Sequence, residues 1–106
     1  MSTIFHVLKE EYDRLQEAVE LYAEKMKVLP KGYIRIMERN GRKYAYLNWR
    51  ENKSVKSKYI APIPSETYEK AELQVRKRKD YEMRIRRMKQ EIRDIQKALR
   101  HGKTTK

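Results

Sequence analysis

Asn40-Gly41 constrains this chain more than any other pair of residues. Both residue types tolerate positive φ, and the pair between alternating polar and apolar residues is the strongest short signal for a two-residue type I′ hairpin. Centring the turn there fixes the pairing. Arg39 opposes Arg42, Met37 opposes Tyr44, Ile36 opposes Ala45, Arg35 opposes Tyr46, and Ile34 opposes Leu47. One face then carries Ile34, Ile36, Ala45, Leu47 and Trp49; the other carries Tyr33, Arg35, Met37, Arg39, Arg42, Tyr44, Tyr46 and Asn48. A slip of one residue would exchange the two faces.

A third strand follows over Ser54 to Ile60. A three-residue loop, Glu51-Asn52-Lys53, is expected to join it to the hairpin, with Val55, Ser57 and Tyr59 on the apolar face and Lys56 and Lys58 beside Tyr46 and Asn48. A two-residue loop would instead set both lysines on the apolar face, where burying an unpaired ammonium is costly. The sheet is thus expected over residues 32–61. Trp49 shares the face of Ile34 and Leu47, so it is expected in the core and not as a stacking residue.

Helices flank this sheet. From Thr3 to Lys27 nothing breaks a helix, and Leu8, Tyr12, Leu15, Val19, Tyr22, Met26 and Leu29 recur at alternating spacings of four and three, a heptad seam. The Leu29-Pro30-Lys31-Gly32 stretch ends it, giving a helix over 1–29. Pro62 and Pro64 close the sheet, and Ser65 is placed to cap a helix over 65–100 ahead of Glu66 and Glu69. Its second half carries another seam, Tyr81, Ile85, Met88, Ile92, Ile95 and Leu99. Before Tyr81 the Arg76-Lys77-Arg78-Lys79-Asp80 run offers no apolar position, so the helix is expected to bend or change neighbour there. Residues 101–106 read as a frayed tail. The fold class is therefore α+β, a single domain over 1–106 in which the two helices form an antiparallel, coiled-coil-like hairpin; pairing of either seam with a second copy is the alternative.

Charge gives the first indication of a partner. The formal net charge is +12 in 106 residues. Residues 1–27 hold four basic against six acidic side chains, 28–69 nine against four, and 70–106 fourteen against five. The positive field sits on the sheet and the last helix. Such asymmetry points to a polyanion, with nucleic acid ahead of an acidic protein surface or an anionic membrane. No apolar run approaches the roughly 20 residues of a membrane span, and the early acidic residues argue against a secretory leader. The chain has no cysteine, consistent with a reducing, cytoplasmic setting.

The sheet face with Tyr33, Arg35, Arg39, Arg42, Tyr44 and Tyr46, extended by Lys56 and Lys58, joins cations to aromatic rings. Such a face can enter a major groove or lie on single strands, with guanidinium groups on phosphates and rings as stacking platforms. The alternative is that the tyrosines cover a helix with their hydroxyls in water. Arg76, Lys77, Arg78, Lys79, Arg84 and Arg87 add a cationic helical stripe, which is either a phosphate contact or an ordinary solvated surface. His6 and His101 stand apart without cysteine or an acidic cluster, and no phosphate loop, nucleophile elbow or zinc spacing occurs. A non-catalytic protein without cofactor or metal is expected.

Lys31, Gly32, Gly41, Tyr44, Tyr46, Leu47, Lys56, Lys58, Tyr59 and Ile60, in this order between two helices, resemble a small uncharacterised family of low-GC Gram-positive bacteria, their phages and mobile elements. The likeness covers nearly the whole chain. Ala61-Pro62 departs from the Gly expected after the last strand, and Asn52 stands where the second turn usually has Gly. The resemblance implies the architecture and a mobile-element context, and it supplies no catalytic residue. A looser, topological similarity links residues 32–80 to the arm-binding domains of tyrosine recombinases, in which a three-stranded sheet backed by a helix sits in the DNA major groove. Two alternatives to nucleic-acid binding stand beside it. One is an inhibitor of a host defence nuclease, of anti-CRISPR type, bound to the effector protein or its nucleic acid. The other is a dimeric coiled-coil assembly factor.

Overall fold

A computed structural model describes residues 2–104. The elements run α1 (Ser2–Met26), β1 (Tyr33–Arg39), β2 (Arg42–Glu51), β3 (Ser54–Ile63) and α2 (Glu66–Thr104). The fold is α+β, and the three strands form one antiparallel sheet in the order β1-β2-β3. Three boundaries differ from expectation. The first helix ends at Met26 and not at Leu29, the sheet continues to Ile63, and α2 stays helical to Thr104, past the residue 100 at which fraying is expected. The rest of the expected tail, 105 and 106, lies outside the described residues. Among the described residues no helix is long and apolar enough to cross a membrane.

Contacts group the chain into two compact units. α1 and α2 from Tyr81 onward make one, and Val28–Asp80 makes the other. The division falls where the α2 apolar pattern loses phase, because residues 66–80 belong with the sheet and the later seam belongs with α1. In the helical unit Tyr22 lies against Tyr81, with ring centroids 5.3 Å apart, and Gln96 Nε2 donates to the Tyr12 hydroxyl at 3.4 Å. These two contacts set the helices antiparallel. Leu15 is 2% exposed, while Leu8, Tyr12, Val19, Tyr22 and Met26 are half-buried, as are all six residues of the α2 seam. Two helices can cover each seam from one side only, which is why Leu15 alone of these residues is fully enclosed.

In the sheet unit Asn40 and Gly41 have φ of 50° and 77°, and the β1–β2 register is the expected one from Tyr33↔Asn48 to Arg39↔Arg42. The second turn is different. Glu51 pairs with Ser54 around a two-residue turn, Asn52-Lys53, with φ 58° at Asn52, so the three-residue loop is not formed. Lys58 therefore opposes Leu47 and Lys56 opposes Trp49, on the face away from Tyr46. The burial penalty expected there does not arise. β3 is an edge strand, both lysines are exposed, and their long stems carry the ammonium groups into water.

Cover on that face is partial. Ala45 is 0% exposed and its cross-strand partner Ala61 is 4% exposed. In α2, Val75 is buried and Tyr68, Ala71, Glu72 and Arg78 are half-buried at helical spacing, so one stripe of the helix is covered within this unit. Ile34, Leu47 and Trp49 remain half-buried and Ile36 is 51% exposed, so Trp49 is less enclosed than a core residue. The Ser65 hydroxyl accepts from the Tyr68 amide at 3.1 Å, which caps α2 as expected.

Candidate nucleic-acid interface

The opposite face of the sheet is built by strand alternation. Tyr33, Arg35, Met37 and Arg39 of β1 and Arg42, Tyr44, Tyr46 and Asn48 of β2 share it, and no Asp or Glu alternates onto it from any strand. Glu38 and Glu51 belong to the other face; Glu51 accepts from the Trp49 indole at 3.3 Å. β3 contributes Ser57 opposite Asn48 and Tyr59 opposite Tyr46. Next comes a bulge. The pairing steps from Tyr46↔Tyr59 to Ala45↔Ala61 and leaves Ile60 unpaired, so Tyr59 stays with the tyrosines while Ala61 turns to the side of Ala45.

Three rings meet there. Tyr59 lies 5.4 Å from Tyr46 at an interplanar angle of 67° and 6.3 Å from Tyr44 at 52°. Arg39, Asn40 and Arg42 from the hairpin tip, with these tyrosines, line a hollow of about 490 Å³. Asn48 is 4% exposed yet satisfied, because the Ser57 hydroxyl donates to its side-chain oxygen at 2.8 Å. Charge is left over on this unit. None of the ion pairs His6–Glu10, Glu11–Arg14, Glu24–Lys27, Glu66–Lys70 and Glu72–Arg76 involves Arg35, Arg39, Arg42, Lys56 or Lys58. All five side chains are exposed.

Other predicted residues fall elsewhere. Arg76 pairs with Glu72 at 3.3 Å, and the same carboxylate accepts from the Tyr68 hydroxyl at 3.1 Å, which raises the phenol above its ordinary pKa. Arg78 is half-buried and donates to the Leu29 carbonyl at 2.9 Å, tying the α1–β1 connection to α2. Lys77 and Lys79 are exposed. Arg84 and Arg87 belong to the helical unit, where Arg84 donates to the Tyr22 hydroxyl at 3.3 Å and Arg87 meets the Met83 sulfur at 3.8 Å.

The hollow thus gathers Arg39, Arg42, Tyr44 and Tyr46 of the expected set, and Arg35 stands next to Tyr46 across the strands. Tyr33 lies at the far end opposite Asn48. Lys56 and Lys58 leave the set, for the register reason given above. Tyr59 and Asn40 enter it. The signal for Tyr59 is Asn52, which tolerates positive φ just as Asn40 does; a two-residue turn there puts Tyr59 opposite Tyr46 directly. Among the described residues no group of three His, Asp or Glu side chains is arranged to hold a metal ion.

No curated protein and no solved structure matches the chain. Residues 8–70 match the family model described as "Domain of unknown function (DUF6788)", a span from α1 through the whole sheet into α2 and more than half of the chain, so the protein belongs to that family.

Proposed function

We propose that this protein is a non-catalytic binder of nucleic acid, alone or in a nucleoprotein, and that the tyrosine face of the sheet makes the contact. The observation that carries this reading is the mixture of unneutralised arginines and clustered rings on a face without a single acid. Guanidinium groups with no carboxylate partner keep their full attraction for phosphate, and aromatic rings add a contact that a bare cationic surface lacks. Lys77 and Lys79 extend the positive field along α2. On the resemblance to mobile-element proteins, the setting is the cytoplasm of a Gram-positive bacterium or of a cell infected by its phages. Titration of labelled DNA and RNA oligonucleotides at several salt concentrations tests the reading, which requires an affinity that falls steeply as salt rises.

A second reading, a dimer formed through the helical unit, draws on one observation. Every seam residue except Leu15 keeps some exposure, and Ile4, Val7 and Leu21 of α1 are largely exposed. Sedimentation decides it, since apolar surface of this kind is covered when a second copy binds.

A further inference from the structure

We infer that the hollow at the first hairpin seats an unpaired nucleotide, its base against Tyr59 and its phosphate between Arg39 and Arg42. This rests on the nucleic-acid reading and narrows it to single strands. The depth of the rings is the first reason. Tyr44 and Tyr46 are half-buried and Tyr59 is 48% exposed, while Arg39, Asn40 and Arg42 stand exposed around them. A duplex keeps its bases stacked on one another and shows a protein only their edges, which protruding side chains read. The half-buried rings of Tyr44 and Tyr46 cannot reach those edges. An unpaired base has a free π-face and can enter a hollow lined by rings.

Ring geometry is the second reason. Neither tyrosine pair is stacked, at 52° and 67°, so aromatic surface is not used up in parallel contact within the cluster. Tyr44 and Tyr46, both on β2, lie against Tyr59, which is the most accessible of the three. Arg39 and Arg42 are cross-strand partners beside the turn, so two guanidinium groups flank the place where the sugar-phosphate of a bound nucleotide would emerge. Asn40 on the lip offers both an amide donor and an acceptor to a base edge. DNA and RNA share the required chemistry, an unpaired base with a 5′ or 3′ phosphate.

Fluorescence anisotropy with labelled oligothymidylate, oligouridylate and a duplex of equal length, at low salt, tests the inference. At least one single strand should bind about tenfold tighter than the duplex. Tyr59→Leu, which keeps apolar bulk and removes the ring, should weaken single-strand binding by about tenfold, within the range for loss of one base stack. Its salt slope should be unchanged. Arg39→Ala with Arg42→Ala should flatten the slope by about 0.7, the value for one phosphate on a single strand. Photocrosslinking of a 5-iodouracil oligonucleotide to the wild-type protein gives an answer independent of any variant's folding, with Tyr59 as the expected adduct. Duplex binding as tight as single-strand binding, a wild-type affinity for folded Tyr59→Leu, or an adduct confined to other residues would overturn the single-strand seat and leave the nucleic-acid reading standing. Absence of binding to all three probes would overturn both.

Discussion

Tyr59 and Ala61 are two residues apart in β3, yet they face opposite sides of the sheet, Tyr59 across from Tyr46 and Ala61 across from Ala45. The unpaired Ile60 between them makes this possible. A regular strand would put both on one side. The ring would then move to the face of Ala45, or Ala61 would lose its place across from the fully buried Ala45.

Deleting Ile60 should therefore be tolerated. It removes the extra residue and keeps both pairings, at a cost of about 1 kcal/mol, below the value for a fully buried Ile because Ile60 is half-buried. Deleting Lys58 should be far more damaging, since it either breaks the Asn52 turn or drives Lys56 against the buried Asn48. Thermal melts of the two deletions, followed by circular dichroism, check the order.

Gly32 and Gly41 should respond differently to alanine. Gly32 has φ 108°, and an added Cβ would run into the Asn48 carbonyl oxygen and lie 2.9 Å from the Trp49 Cβ. Gly41, at φ 77°, has open space around it. Gly41→Ala should cost about 1–2 kcal/mol for the left-handed conformation alone, whereas Gly32→Ala should add about 1–3 kcal/mol of overpacking. Urea denaturation of both variants measures the difference.

Much of this architecture is legible in the residues. Asn40-Gly41 sets the first register, Ser65 starts α2, and the two heptad seams name the helical pair before any contact is seen, while α1 ends at Met26, ahead of the Leu29-Pro30 stop. The loss of phase before Tyr81 marks where α2 changes its neighbour. The second turn is misjudged because the apolar face is treated as covered along its whole length. In fact cover is complete at Ala45 and Ala61, while an edge strand lets Lys56 and Lys58 escape to water. The bulge at Ile60 has no local signature in the residues around it.

Leu15→Ala should be the costliest truncation in the helical unit, about 2–5 kcal/mol, because Leu15 is enclosed and its cavity cannot collapse onto solvent. Ile92→Ala, at a half-buried position, should cost less. Equal losses would mean that the α2 seam is covered by something beyond α1, which sedimentation of the wild-type chain would reveal as a dimer.

Lys56→Ala with Lys58→Ala should weaken oligonucleotide binding less than Arg39→Ala with Arg42→Ala, although each pair removes two charges. The lysines lie on the side of Leu47 and Trp49, away from the rings. Equal effects in anisotropy titrations would mean that total charge, and not the tyrosine face, holds the ligand.

The most direct test is the salt dependence of binding to one oligonucleotide, compared between the wild-type protein and the Arg39→Ala, Arg42→Ala double variant. Binding through the tyrosine face predicts a linear fall of log K with log salt for the wild type and a slope shallower by about 0.7 in the variant on a single strand, one phosphate fewer. Superimposable lines for the two proteins, or a flat wild-type titration at low salt, would contradict it.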